Sequence, residues 1–259
     1  MAWFSDTFTF EQTTLNIAHI SDCHLFADTQ GEYFGVNTAH YLEQTVADIA
    51  TKNVDLVIFG GDLTQDHSMQ SYQLFYDIVD KSELNCPVFW LPGNHDELAL
   101  LTQISTGKIH PAKLIKAQGM QLLLTNSKGN TPAGWVTPEH IEQICTLDSK
   151  LPSVVFCHHN PLPINGYLDK HMLENGPQFL NTLVNEVNAL AVFHGHVHQQ
   201  NHDLFRALDI YATPATSVQF KRHSRHWLQE DLGPAYRMIS LDSSKNDVIL
   251  DTKIIWLKE

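Results

Sequence analysis

Short apolar runs that end in clusters of histidine, aspartate and asparagine constrain this chain more than any other feature. Six apolar runs, at 15–20, 54–59, 88–91, 122–125, 154–157 and 190–193, are bounded by Gly, Pro, Asn or Asp, as buried strands are, and all but 122–125 end in such a cluster. Helical spacing fills the gaps between them. Leu42, Val46, Ile49 and Ala50 predict a helix over 38–52, started near Thr38, and Tyr72, Phe75, Tyr76 and Val79 predict another over 69–81. Segments 138–147 and 177–187 each open with a proline suited to a first helical turn. Strands alternating with helices imply an α/β architecture with helices covering the sheet faces. From Asp203 onward the pattern changes to strand-like runs at 208–212, 217–220, 236–241 and 248–257, with no helix between them.

The composition admits such a fold and excludes several others. The 259 residues are 43% hydrophobic and 17% charged, which suits a chain with a sizeable core and excludes disorder, collagen and coiled coil. No repeat or long linker divides the chain, so a single domain over 1–259 is expected. A net charge of −13 argues against nucleic acid or an anionic membrane as partner. No apolar stretch is long enough to span a bilayer. The first ten residues lack a basic segment and carry Asp6, so they do not read as a signal peptide. Cys23, Cys86, Cys145 and Cys157 form no CxxC pair and are expected to be reduced, as in a cytoplasmic protein.

The sixteen histidines carry the chemistry. Five runs lead directly into metal-binding groups: Asp22-Cys23-His24, Gly60-Gly61-Asp62, Gly93-Asn94-His95-Asp96, His158-His159-Asn160-Pro161 and His194-Gly195-His196-Val197-His198. In α/β sheets ligands gather at the carboxyl ends of strands. Asp22 and His24, like His196 and His198, stand two apart, so in extended backbone both side chains face one way. Carboxylates, an amide oxygen and imidazoles, without thiolate, suit manganese, iron, zinc or cobalt. Seven such ligands exceed one tetrahedral site and fit two ions sharing a carboxylate.

As an ordered set, these motifs resemble the calcineurin-like metallophosphoesterases. Asp22-Cys23-His24-Leu25-Phe26, Gly35-Val36-Asn37-Thr38, His159-Asn160-Pro161-Leu162-Pro163, Leu168-Asp169-Lys170-His171 and the stretch Thr213 to Lys221 resemble the bacterial class III cyclic-nucleotide phosphodiesterase branch. The resemblance implies a four-layer α/β/β/α sandwich with mixed sheets, classed as α/β or α+β. It implies Asp22, His24 and His198 on one metal ion, Asn94, His159 and His196 on the other, and Asp62 between them. The ions implied are two divalent cations, iron or manganese, with zinc or cobalt as alternatives. His24, Asp62, Asn94, His95 and His198 would meet the substrate. His95 would protonate the leaving oxygen, with Asp96 either orienting it or capping a helix that begins near Glu97.

The implied reaction is hydrolysis of 3′,5′-cyclic AMP to 5′-AMP by a hydroxide shared between the metals. The alternatives are a broader phosphodiesterase acting on glycerophosphodiesters or 2′,3′-cyclic nucleotides, and a non-catalytic interaction module on the same fold. The expected partners are a small phosphodiester and, at most, a second copy of the chain. His159 takes the ligand role from the His-x-Pro pattern, which leaves His158 and His194 on the opposite strand face or supporting a ligand. His19 reads as structural, and the basic run from Lys221 to His226 as a solvated loop. Segment 162–173, with Asn165, Tyr167, Asp169 and His171, is open between a nucleoside pocket and an ordinary connection.

Overall fold

The computed structural model describes residues 2–245 and 247–257. Two sheets pack face to face. One runs, edge to edge, Ile249–Trp256, Ala235–Asp242, Thr14–Ile20, Leu56–Phe59, Val88–Trp90 and Ile109–His110. The other runs Thr7–Thr9, Leu114–Ala117, Met120–Leu124, Ser153–Cys157, Ala189–His194, Leu208–Ala212 and Asn201–Phe205. Both are mixed. Thr14–Ile20, Leu56–Phe59 and Val88–Trp90 are mutually parallel, whereas Ala235–Asp242 joins Thr14–Ile20 antiparallel. In the second sheet Ser153–Cys157 lies parallel to both Met120–Leu124 and Ala189–His194.

Alternation along the strands builds three cores. Leu15 and Ile17 enter the layer between the sheets with Leu56, Ile58, Phe156 and Phe193. Ala18 and Ile20 face the other way, towards Leu42, Val46, Tyr72, Phe75 and Val79 of helices Thr38–Ala50 and Met69–Lys81. On the far side, Val155 and Val192 pack with Ile144 of helix Pro138–Cys145 and with Phe179, Leu180 and Leu183 of helix Gly176–Glu186. Helices therefore cover the outer face of each sheet, giving the four layers α/β/β/α. Among the described residues no helix is long and apolar enough to cross a membrane.

Most boundaries expected from the sequence shift by one or two residues, and each shift has a local cause. Helix Thr38–Ala50 is capped by Asn37, whose side chain accepts from the His40 amide, while the Thr38 hydroxyl donates to the His24 carbonyl. The strand expected from Val54 starts at Leu56 because the Asp55 carboxylate is held by Gln12 and by the Asn16 amide. Several strands carry no clean apolar signal, two of the longer ones among them. Leu114–Ala117 turns directly into Met120–Leu124, and Asn201–Phe205 is a polar edge strand antiparallel to Leu208–Ala212.

Candidate metal centre

The parallel strands of both sheets end at one edge of the sandwich, and the loops that follow them meet there. Loops after Thr14–Ile20, Leu56–Phe59 and Val88–Trp90 bring Asp22, His24, Asp62, Asn94 and His95 from the first sheet. Loops after Ser153–Cys157 and Ala189–His194 bring His158, His159, His196 and His198 from the second. Backbone bonds join the loops: the Asp22 amide to the Gly61 carbonyl at 2.9 Å, His24 to Asp62 at 3.1 Å, and Gly195 to His158 at 3.1 Å. Across the seam, the His196 amide donates to the Asp22 carboxylate at 3.0 Å and the Ser217 hydroxyl donates to the Asp22 carbonyl at 2.6 Å.

The backbone at the site is left-handed. Asp22 (φ 58), His24 (φ 48), Asp62 (φ 57), His196 (φ 67) and His198 (φ 48) all lie in a region that costs non-glycine residues of order 1–3 kcal/mol each. The expected convergence of side chains two apart therefore arises by a different route from extended backbone. Left-handed turns aim the polar side chains into the hollow. The intervening Cys23 and Val197 are fully buried in hydrophobic clusters. A Cβ on Gly93 would collide with the Asp62 carboxylate and amide, and one on Gly195 with Ser21 and Asp22, so both turns need glycine.

Four groups of donors bring their ligand atoms within 4.8 Å of one another: Asp22, His24 and His198; His158, His159 and His196; His24, Asp62 and His95; and Asp22, Asp62 and His158. Asp62 thus sits between two histidine-rich halves. Tautomers follow from the outward bonds. His24 donates from Nδ1 to Gln65 Oε1 at 2.9 Å, and His198 from Nδ1 to the Val218 carbonyl at 2.7 Å. Their Nε2 lone pairs then face each other at 3.0 Å, an arrangement that needs a cation or a proton between them. His158 donates from Nδ1 to the Gly60 carbonyl at 2.8 Å, and His159 Nδ1 meets Ser127 Oγ at 2.8 Å. The buried Nε2 atoms of His159 and His196 have no hydrogen-bond partner, nor has Asn94 Oδ1, whereas His158 Nε2 faces the Asp62 carboxylate at 3.3 Å. Buried polar atoms without partners are costly, and this ring of inward acceptors fits divalent cations.

Electrostatics agree with that fit. Burial, reinforced by neighbouring imidazoles, lowers His24 and His196 to about 3 and holds His159 well below its ordinary range, so all three are neutral at pH 7. Neutral imidazole is the ligating form. Burial opposes ionisation of the two carboxylates, yet His198 beside Asp22 and His158 beside Asp62 hold both below the usual range. His158 differs from the other imidazoles. Burial opposes its charge, but Asp62, 3.3 Å from its Nε2, with Asp22 beyond, pushes it up to about 9.

All seven expected ligands line this hollow or its rim, and the structure adds His158 beside them. Of the two readings of His158, the contact with Asp62 agrees with support of a ligand and not with the opposite strand face: the strand stops at Cys157, alternation ends with it, and the rings of His158 and His159 enter the same space at right angles, 4.9 Å apart. His194 stays outside the four donor groups and donates from Nδ1 to the Gly195 carbonyl. His19 meets Thr213 Oγ1 at 2.7 Å between the sheets.

Asp96 is a second correction. Its carboxylate touches neither His95 nor the amides of the helix that follows. It accepts from the backbone amides of Asp62, Leu63 and Gly93, each at 2.8 Å, and so clamps two ligand loops together. Burial and the nearby Asp62 raise it to about 6 in the metal-free protein. His95 is positioned instead by its amide, which donates to Asp62 Oδ1 at 2.9 Å, and by His67, whose ring stacks on it 5.5 Å away. Lys128, which gave no sequence signal, donates to the Asn94 carbonyl at 2.9 Å. Asp169 accepts from the amides of Ile164 and Gly166, which makes its role local.

Residues 15–200 match the family described as calcineurin-like phosphoesterase. The chain belongs to that family. Among curated relatives, a "probable cyclic nucleotide phosphodiesterase" of Pseudoalteromonas sp. (strain SM9913) is 61% identical over the whole of both chains. The 3′,5′-cyclic adenosine monophosphate phosphodiesterase CpdA of Haemophilus influenzae is 31% identical, covering 92% of this chain and 90% of its own. Among solved structures, a dimetal phosphatase from Danio rerio superposes with a TM-score of 0.56 at 12% identity, over 91% of this chain and 98% of its own. That likeness concerns the fold alone.

Proposed function

We propose that this calcineurin-like phosphoesterase is a dinuclear-metal phosphodiesterase that hydrolyses 3′,5′-cyclic AMP to 5′-AMP. The observation that carries the chemistry is the closed ring of inward Nε2 atoms around two buried carboxylates. The names of the two curated relatives support the substrate. Asp22, His24 and His198 would hold one cation, Asn94, His159 and His196 the other, with Asp62 shared between them. Iron or manganese suits this hard-to-borderline donor set, and the cytoplasm suits the free cysteines. Bound there, the cations supply Lewis acidity and a water-derived nucleophile at neutral pH.

The chain's own residues do the remaining work. Ser127, Gln65 and Val218 fix the imidazoles of His159, His24 and His198 by their Nδ1 atoms, and the Gly60 carbonyl fixes His158 in the same way, so these four rings hold their orientation during turnover. His158 braces Asp62 from one side and the His95 amide braces it from the other. His95 stands at the rim with a buried Nδ1 that has no partner. Burial lowers its pKa and Asp62 opposes that shift, so the imidazole is neutral until a phosphodiester anion draws a proton to it. It then hydrogen-bonds the phosphate and hands a proton to the departing 3′ oxygen as the P–O3′ bond breaks. Water contributes the new oxygen on phosphorus.

The test is a turnover panel on purified protein, covering cyclic nucleotides, acyclic diesters and monoesters, after chelation and again after manganese is restored. Activity that disappears and returns, with 3′,5′-cyclic AMP preferred, is the expected result. Equal rates across the diesters would overturn the substrate, and no metal-dependent turnover would overturn the enzyme.

A further inference from the structure

Two β-hairpins stand outside the sandwich at the rim of the metal centre. One pairs Glu32–Tyr33 with Val36–Asn37, and the other pairs Gln219–Phe220 with Gln229–Glu230. Their tips meet through aromatic rings. Phe34 and Trp227 lie near parallel, with centroids 6.0 Å apart and an interplanar angle of 29°. Both are large apolar side chains left open to solvent, at 47% and 40% exposure. Phe34 is held there against its preference. It has φ 51 in a two-residue turn completed by Gly35 at φ 78, where asparagine, aspartate or glycine is the usual occupant.

The aromatic pair is continuous with the metal centre on the side of His24 and His198. Tyr33 stacks on His24 at 4.8 Å and touches Phe34 at 4.6 Å, while Phe220 stacks on His198 at 4.4 Å and meets Trp227 at 4.9 Å. Each exposed ring is therefore two ring contacts from a candidate metal ligand, about the reach of a ribose and the near half of a purine. The loop that carries Trp227 also holds Lys221, Arg222 and Arg225, a basic concentration in a chain of net charge −13. A flat ring placed one sugar away from a phosphate, beside cations, is the chemistry of a nucleotide base.

We propose that Phe34 and Trp227 form the base-binding platform of the site, stacking a purine while its phosphate lies at the metal centre. This deepens the proposed function and rests on it. Phe220 and Tyr33 hold the platform at the rim, and Tyr167, 5.1 Å from the Trp227 ring, supports it from behind.

The experiment is isothermal titration calorimetry of manganese-loaded protein with 5′-AMP and with ribose 5-phosphate, which carries a hydroxyl in place of the base. Base–aromatic stacking predicts that wild-type protein binds 5′-AMP about 10-fold or more tightly than ribose 5-phosphate. Trp227→Ala and Phe34→Ala should bring that ratio to within about 2-fold, without weakening ribose 5-phosphate, and Trp227→Phe should restore most of it. Circular dichroism of each variant verifies folding. A wild-type ratio near one, or a ratio that both alanine variants leave unchanged, overturns the platform. Turnover of cyclic AMP by the same wild-type sample is read in parallel. No turnover with the ratio intact refutes the proposed reaction and leaves the platform standing. Normal turnover with a flat ratio refutes the platform alone.

Discussion

Ser127→Ala should separate His159, a proposed metal ligand, from its support. Ser127 is fully buried, and its hydroxyl oxygen lies 2.8 Å from His159 Nδ1 and 3.3 Å from the amides of His158 and His159. Removing it strands the His159 Nδ1–H and loosens both amides. A neutral hydrogen bond of this kind contributes about 1 kcal/mol, and about 1.5–3 kcal/mol once the imidazole is polarised by a bound cation. The difference falls on the metal-bound state, so manganese affinity should drop roughly 10-fold, at the lower end of the range for supports of ligating histidines. The metal-free protein should separately lose about 1–3 kcal/mol from its stranded donor. Calorimetric manganese titration against a competing chelator reads the first effect, and urea unfolding in excess chelator reads the second. Stability loss with unchanged manganese affinity would refute the reasoning, because Ser127 would then brace a loop whose histidine holds no metal.

His95→Ala should lower kcat roughly 10²–10⁴-fold while metal content by elemental analysis stays at the wild-type level. Asp96→Ala leaves three buried amides without an acceptor at about 1–3 kcal/mol each, so unfolding in urea should move to much lower denaturant. A wild-type midpoint with an altered pH profile of kcat would return Asp96 to His95. His140, outside the four donor groups, is lowered to about 4 by burial, and its Nε2 accepts from the Asn126 amide. The unfolded chain takes up that proton near pH 6.5 and the folded chain resists it, so His140 adds stability above pH 6.5 that is lost as pH falls towards 4. Between pH 7 and pH 5 the loss is about 2 kcal/mol, and His140→Gln should flatten the unfolding midpoint over that interval by the same amount.

Elements were legible wherever one physical pattern governed a segment. The buried strands and the amphipathic helix Met69–Lys81 follow directly from spacing, and the order of ligand motifs marks which strand ends must meet. What stayed hidden depends on groups that only the folded chain brings together. Nothing near Lys128 announces that it will hold the Asn94 carbonyl, because the two are joined only when the sheets close. Asp96 looked like a partner for its neighbour His95. The tight Gly93 turn instead directs the carboxylate back onto amides more than thirty residues away. Adjacent His158 and His159 suggested opposite faces, a rule that lapses one residue after the strand ends. The same limit explains the left-handed ligands: periodicity describes regular backbone, and this centre is built where regular backbone stops.

The arrangement of the first sheet also sets a schedule for the newborn protein. Thr14–Ile20 is made long before Ala235–Asp242, one of the two strands that flank it. Until Ala235–Asp242 has been made, the strand that aims Asp22 and His24 has an open flank. A chain that stops before residue 235 should therefore hold manganese more weakly than one that includes the strand.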